Sequence, residues 1–481
     1  MESILAHLRN HPHSYHVPGH KMGRGLPGEI GQWLGVSGRL DLTEIPGLDD
    51  LHTPEGAIRD AQQLAADAFG AEETYFLING STAGNLAMIM AAIKPHESIL
   101  VPRNLHKSVL NGLVLAQATP VFYTPEVDET FGIATGVSVE TVRRMVQAHP
   151  QARALLITSP TYHGICSDLA TIAEVVHAAG MLLLVDEAHG AHFAFHERLP
   201  QTAMAAGADM AVQSTHKMLG SLTQSSMLHV QGPRVDRVRL RKRLQLVQST
   251  SPSYLLLLSL DCARHQMVTE GRARLEQALD AVEAGAEALQ QLPHLRLLTE
   301  RDLGGEFRLD PLKWTVDVTD LGQTGGAVYQ RLHERGYTLE LSDPQNVVAI
   351  FTYADERRQV ERLVQAFAGL EATEGTEAVA DPLPTNLFAK GEVGRAPAEL
   401  ERLVPLHEAY EQEAEAVLLP EAAGRAAAEM VIPYPPGIPL IVPGEVWTED
   451  LIAHVSRLLA AGVRFQGAED AALRVVQVLK K

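Results

Sequence analysis

Three short, almost purely apolar runs do most to constrain this fold: Ile-Leu-Val at 99–101, Ala-Leu-Leu-Ile at 154–157 and Met-Leu-Leu-Leu-Val at 181–185. Such a run has no polar face to turn to water, so as a strand it must be buried on both sides, the situation of a parallel sheet layered between helices. The intervening sequence agrees. Residues 55–69 carry apolar side chains at helical spacing and stop at Gly70, a good C-terminal cap. Residues 74–78 read as a strand, and 83–93 and 169–179 as helices. Strand and helix alternating on this scale predict an α/β domain with a mostly parallel sheet.

At 481 residues the chain exceeds one compact core. Residues 1–53 form an N-terminal segment and 54–252 the large α/β domain. Residues 253–292 are helical and form a bridge. Within 253–370, the stretches 313–318, 326–335, 337–341, 347–351 and 356–368 read strand, helix, strand, strand, helix, which makes a small α+β domain. Residues 371–384 are acidic and poor in apolar side chains, so they read as a linker. The last segment, 385–481, contains Pro433-Tyr-Pro-Pro-Gly-Ile-Pro439, whose four prolines exclude helix or central strand.

Charge and cysteine usage narrow the function. There are 40 basic and 59 acidic side chains, a formal charge of −19, so no basic excess exists to neutralise phosphates and nucleic acid is excluded as a partner. Cys166 and Cys262 form no CxxC, which points to reduced thiols rather than a metal site or a disulfide. The first residues are polar and the longest apolar runs are too short to span a bilayer, so the expected location is the cytoplasm.

The candidate chemistry sits at predicted strand ends. Ser214-Thr-His-Lys217 follows the strand-like run 208–212, and Val185-Asp-Glu-Ala-His189 closes another. Asn79-Gly-Ser-Thr-Ala-Gly84 lies between a strand and a helix, and Pro102-Arg-Asn-Leu-His-Lys-Ser108 follows 99–101. Ligands of open α/β sheets collect at this rim. A lysine there serves as a nucleophile if its amine sheds a proton near neutral pH. Asp186 is suited to holding a pyridine nitrogen protonated, or else to capping the next helix. The small residues Gly80, Ser81 and Thr82 let backbone N–H groups close on a phosphate, and His106 is placed to stack on a ring. Each piece alone has a plain alternative: a solvated lysine, a cap, a simple turn, an ordinary histidine. Asp-Glu-Ala-His is also a helicase motif, but no GxxxxGK[ST] phosphate loop precedes it.

Together these motifs resemble the Orn/Lys/Arg decarboxylase family of pyridoxal-5′-phosphate (PLP) fold type I, and most of all its short members of Gram-positive type. The similarity also rests on His16-Val-Pro-Gly-His-Lys21, Gly47-Leu-Asp-Asp-Leu-His52, Leu222-Thr-Gln-Ser-Ser226 and Tyr434-Pro-Pro-Gly-Ile-Pro439, the last a run that plain aminotransferases lack. The resemblance implies an aspartate-aminotransferase-like large domain with small and C-terminal α+β domains. It makes Lys217 the Schiff-base lysine, Asp186 the pyridine partner and His106 the stacking residue. Ala188 and His189 would lie against the cofactor, and Gly80, Ser81, Thr82, Ser214 and His216 would hold its phosphate. Thr161, in Ser159-Pro-Thr-Tyr162, would approach its 3′-oxygen. No metal is implied. The implied reaction is α-decarboxylation of a basic amino acid, arginine to agmatine first, with lysine or ornithine as alternatives. An aminotransferase and a PLP-binding regulator are the rival readings. A homodimer or higher homo-oligomer is expected. For the substrate's distal cation the candidates are Glu44, Asp49, Asp50 and Glu429, the last on a helix expected over 424–430, with Tyr434 lining the methylene chain.

Overall fold

The computed structural model describes residues 1–10, 13–370, 400–434, 438–460 and 462–480. The linker expected over 371–384 and residues 435–437 of the proline-rich run lie outside them.

The apolar runs form the centre of a seven-stranded sheet. Its strands are β1 (Glu73–Leu77), β2 (Ser98–Pro102), β3 (Thr119–Tyr123), β4 (Ala154–Thr158), β5 (Leu182–Asp186), β6 (Met210–Gln213) and β7 (Ser226–Val230), in the spatial order β1-β7-β6-β5-β4-β2-β3. Strands β3, β2, β4, β5 and β6 pair in parallel, and β7 runs antiparallel between β6 and β1. Every residue of β5 is buried, as a two-sided strand requires. Apolar side chains of β2, β4 and β5 divide between two cores on opposite faces of the sheet. Two strands escaped the sequence reading. β3 contains Pro120 and survives because it is an edge strand. β7 carries Ser226 and His229, polar residues that obscure its pattern yet are fully buried.

The helix Ala57–Phe69 ends at Gly70 in the left-handed conformation, as expected. The bridge is helical from Tyr254 to Gln266 and from Arg272 to Leu289, with a π-turn between. A second, four-stranded antiparallel sheet follows: β8 (Arg296–Leu297), β9 (Lys313–Asp317), β10 (Leu341–Ser342) and β11 (Asn346–Ile350), ordered β8-β9-β11-β10. The strand expected over 337–341 shrinks to β10, because the chain leaves a left-handed turn at Gly336 and meets β11 only at its end.

The C-terminal segment packs its own core around Trp447, Leu451 and Val478. The helix expected over 424–430 is absent. Ala426 and Ala427 instead make β-bridges to Val446 and Val478, so tertiary pairing overrides local helix propensity. Among the described residues no helix is long and apolar enough to cross a membrane.

Candidate active site

The parallel strands end on one rim, where β7 begins, since Leu77 pairs with Ser226 and Met227 with Gln213. The four motifs meet there. Asp186, the last residue of β5, is 2% exposed. One carboxylate oxygen accepts from Asn85 Nδ2 at 2.9 Å and the other from the Ala188 N–H at 3.2 Å. No helix starts here, so the cap alternative for Asp186 fails; the chain makes a turn instead.

Asn85 lies on the helix Gly80–Ala92 and is 1% exposed. Its amide also donates to Ser108 Oγ at 3.0 Å. Ser108 Oγ sits 2.8 Å from His106 Nδ1, and that nitrogen accepts from the Ser108 N–H at 3.2 Å. With Nδ1 accepting, the proton of a neutral His106 ring resides on Nε2. Burial pulls the His106 pKa down, against the attraction of Asp186. His106 is the N-cap of the helix Lys107–Ala116, which fixes its ring at the rim.

Lys217 lies on the one-turn helix Thr215–Met218 directly after β6. Its Nζ is 3.1 Å from His189 Nε2. Burial lowers the Lys217 pKa, while Asp186 and then Glu340 work the other way. His189 is pushed well below its ordinary value by burial, then by the charges of Lys313 and Lys217. A neutral imidazole therefore faces the amine. The Tyr162 ring approaches His189 edge-on, with centroids 5.3 Å apart.

The turn before the helix Gly80–Ala92 depends on Gly80, whose φ of +74° favours glycine. Its N–H donates to Gln224 O at 2.8 Å, tying this turn to the Leu222–Ser226 loop. Ser214 Oγ donates to Ser81 Oγ at 2.8 Å, and Thr82 is exposed beside them. His216 Nδ1 lies 2.8 Å from Ser225 O, and the Ser214 N–H donates to Ala188 O at 3.2 Å. Thr161 is buried; its hydroxyl accepts from the Ile165 N–H, and its carbonyl accepts from Lys313 Nζ at 3.5 Å.

The rim fits a planar, anionic cofactor such as PLP. Several buried polar atoms on these strand ends have no hydrogen-bond partner: Asn85 Oδ1, Asn104 Oδ1, Thr158 Oγ1, His189 Nδ1, Thr215 Oγ1 and Ser226 Oγ. Buried polar groups are normally paired, so such a cluster suits a polar ligand.

The carboxylates expected to hold the substrate are not assembled here. Asp49 caps the helix Ala57–Phe69, accepting from the N–H groups of Glu55, Gly56, Ile58 and Arg59. Burial raises its pKa, but these backbone amides outweigh that and hold it low. Asp50 accepts from the His52 and Thr53 N–H groups, and Glu44 from that of Leu51. Glu429 is buried 40 residues from Glu469 in sequence, with its two oxygens accepting from the Glu469 and Gln477 N–H groups at 2.8 Å each. Each candidate thus serves local backbone. Tyr434 ends a short strand paired with Arg464, and Ile438 helps line a small cavity of about 30 Å³ with Asn104, Thr158 and Thr161.

Three residues were missed. Asn85 lies in an apolar helix and only its contact with Asp186 distinguishes it. Lys313 looked like an ordinary strand start. Glu340 is exposed, yet its charge acts on both Lys217 and Lys313.

Residues 1–359 match the Orn/Lys/Arg decarboxylase major domain, and 401–471 match the C-terminal domain of the same family. A protein of Bacillus subtilis named arginine decarboxylase is 40% identical over 99% of this chain and 97% of its own length. Lysine decarboxylase A from Pseudomonas aeruginosa superposes with a TM-score of 0.80 at 25% identity, covering 99% of this chain and 80% of that one. Serine palmitoyltransferase from Sphingomonas wittichii matches 65% of this chain and 75% of its own, with a TM-score of 0.53 at 18% identity, which marks a shared fold.

Proposed function

Because this chain belongs to the Orn/Lys/Arg decarboxylase family and has the PLP fold type I architecture, we propose that it binds PLP on Lys217 and decarboxylates arginine to agmatine. One observation carries this reading. A buried carboxylate oriented by Asn85 and a lysine beside a neutral imidazole, Lys217 to His189 at 3.1 Å, meet on one sheet rim. Full-length similarity to proteins named arginine decarboxylase supports arginine over lysine and ornithine.

PLP supplies an electron sink for the pair left when the carboxylate departs. The protein's own work is to hold and to move protons. Asp186 would place its carboxylate against a protonated ring nitrogen, and the Asn85–Ser108–His106 chain fixes the carboxylate and the imidazole together. Gly80, Ser81, Thr82, Ser214 and His216 offer N–H, hydroxyl and imidazole groups to the phosphate, beside a helix N-terminus. Ala188 would cover a ring face of the cofactor and Thr161 would approach its oxygen. Lys217, its pKa lowered by burial, would deliver a proton to the carbon that has lost its carboxylate, and His189 steadies the amine. Glu340 is the acidic group we assign to the substrate's distal cation, in place of Glu44, Asp49, Asp50 and Glu429.

The active unit is a homodimer or higher homo-oligomer. The N-terminal segment leaves Tyr15 94%, Val17 66% and Trp33 83% exposed, large apolar side chains that a second copy would cover. Cys166 and Cys262 are both free thiols, as suits the cytoplasm. Incubation with arginine, lysine and ornithine, followed by amine-product analysis and carbon dioxide measurement, tests the function. Agmatine with stoichiometric carbon dioxide is expected. Keto-acid formation would establish an aminotransferase, and cadaverine or putrescine as the main product would reassign the substrate. Full activity of a monomer, seen by light scattering alongside the assay, would contradict the oligomer as the active unit.

A further inference from the structure

Asn104 is a buried side chain to which the reading above gives no task. It lies just past the end of β2, between Arg103 and the His106 loop, and is 6% exposed. Neither end of its amide makes a hydrogen bond to any described residue. It lines a cavity of about 30 Å³, roughly the room of one water, together with Thr158, Thr161 and Asp343. Thr158 Oγ1 is buried and unpartnered as well. The other polar groups of the wall are occupied. Asp343 accepts from the N–H groups of Gln345 and Asn346 at 2.8 and 2.7 Å and from Asn346 Nδ2 at 2.9 Å. The Thr161 hydroxyl accepts from the Ile165 N–H at 3.2 Å, and His163 Nδ1 lies 3.1 Å from Thr315 Oγ1. The Tyr162 ring packs edge-on against His189.

A buried amide left unpaired is destabilising, and an apolar side chain of similar shape would remove that cost, so Asn104 is a group that a ligand completes. The sheet says which part of the ligand comes here. β4 and β5 pair in parallel with Thr158 level with Asp186, and the Ser159 N–H donates to Asp186 O at 3.1 Å. Neighbouring strands lie about 4.8 Å apart, so Thr158 stands one strand over from the carboxylate assigned to the ring nitrogen. β2, which leads into Asn104, is the next strand on that side. The groups assigned to the phosphate lie on the opposite flank of β5: Ser214 follows β6, and its hydroxyl donates to Ser81 Oγ at 2.8 Å. In PLP the phosphate arm and the 3′-hydroxyl stand on the two ring carbons that flank the aldehyde-bearing one. With the nitrogen at Asp186 and the phosphate on the β6 flank, the 3′-oxygen falls on the flank of β4 and β2. We propose that Asn104 binds this oxygen, its amide N–H₂ donating to it beside the Thr158 hydroxyl. The proposal rests on the reading that PLP occupies this rim with its ring nitrogen at Asp186.

Because no protein group holds either end of the amide, it is free to turn its N–H₂ toward an anionic oxygen. A donor there draws charge from the 3′-oxygen, the nearest acceptor for a proton on the Lys217 nitrogen, and so lowers that nitrogen's proton affinity. Asn104→Leu removes the donor and keeps the branched shape. In the cofactor-free chain it also removes an unpaired buried amide, so the melting temperature should hold or rise. An asparagine with a merely structural role would instead lower it when replaced.

The test compares the full chain with PLP and with its 3-deoxy analogue, which lacks that oxygen. In equilibrium dialysis Asn104→Leu should bind PLP about ten-fold more weakly than wild type and bind the analogue equally well. With PLP, the midpoint of the pH titration of the cofactor's absorbance should rise by roughly half a unit to one unit. A folded Asn104→Leu with unchanged PLP affinity and an unmoved midpoint overturns the proposal. Equal weakening toward PLP and the analogue also overturns it, since Asn104 would then only shape the cavity or hold a water. If Asn104→Leu does not fold, Asn104→Asp decides: it keeps the shape and sets a carboxylate against the oxygen, so PLP affinity should fall while analogue affinity stays, and equal changes overturn the proposal. Borohydride trapping with peptide mapping keeps the two questions apart. A wild-type chain that neither binds PLP nor yields label on Lys217 sinks the cofactor reading itself, whereas label on Lys217 with unmoved affinity and midpoint in the variant sinks only the role of Asn104.

Discussion

Two buried clusters sit within a few residues of each other at the end of β2, and they are built on opposite terms. At the rim, His106, Asp186, Lys217 and His189 lie among strand-end atoms that lack partners. On the other side, Arg103 docks the C-terminal segment. Its guanidinium forms a bidentate pair with Glu445 at 2.6 and 2.7 Å, donates to Leu440 O at 3.0 Å, and lies over the Phe122 ring. Glu445 also accepts from the Val442 N–H at 3.0 Å and from Arg402 at 3.3 Å. Both groups of the central pair are almost wholly buried, and their charges face each other, although the Nε atoms of Arg103 and Arg402 have no hydrogen-bond partner. A cluster whose opposite charges are paired with each other serves as scaffold, whereas one that leaves several side-chain acceptors and donors over around a lysine and a carboxylate is arranged for something else to bind.

The sharpest way to break this contrast is Lys217→Ala. Turnover should fall by about a thousand-fold or more, roughly 4 kcal/mol in the barrier, with the melting temperature preserved. Kinetics together with calorimetry decide it, and a large loss of stability with little loss of rate would put Lys217 on the scaffold side. Glu445→Gln is the mirror experiment. It leaves Arg103 buried beside a neutral amide and should cost about 3 kcal/mol of unfolding free energy in denaturant melts. If the folded variant loses activity but no stability, the closed cluster is part of the chemistry.

Asp186→Asn returns to the rim. The amide preserves the shape but cannot balance a cationic ring nitrogen, so kcat should drop about a hundred-fold, ~2.7 kcal/mol, with the fold intact. Near-wild-type rates would leave Asp186 as a mere turn former. Glu340→Gln probes the mouth of the site: KM for arginine should rise about ten-fold, ~1.4 kcal/mol, with kcat little changed. An equal effect from Glu429→Gln, whose carboxylate is bound to backbone, would favour the original candidate.

The smallest effect concerns a third, fully satisfied network behind the rim. His229 sits between Thr74 Oγ1 at 2.8 Å and Gln213 Oε1 at 3.0 Å, and Gln213 Nε2 donates to Glu187 at 2.8 Å. Burial holds the His229 pKa down to about 3. The unfolded chain takes up this proton near the ordinary histidine value and the folded chain does not. The contribution to stability is therefore complete above pH ~6.5 and is lost as pH falls toward about 3. Between pH 6 and 5, wild type should lose roughly 1 kcal/mol more than His229→Gln in denaturant melts; parallel pH curves would show that His229 is not held neutral.

The sequence by itself determined the layered α/β sheet, because two-sided strands need uninterrupted apolar runs and those runs are visible in residues 99–101, 154–157 and 181–185. It also placed Lys217, Asp186 and His106 at strand ends, since strand ends fall where the apolar run stops. Those signals are local. Which carboxylates are free for a substrate was not legible: Asp49, Asp50 and Glu429 look like any acidic side chain until the backbone N–H groups that occupy them are located. Asn85 and Lys313 were hidden for the same reason. Asn85 reaches Asp186 across 101 positions of sequence and Lys313 reaches Thr161 across 152. Only tertiary structure brings such pairs together, because the energy of a buried polar group depends on the partners that surround it and not on its own position in a pattern.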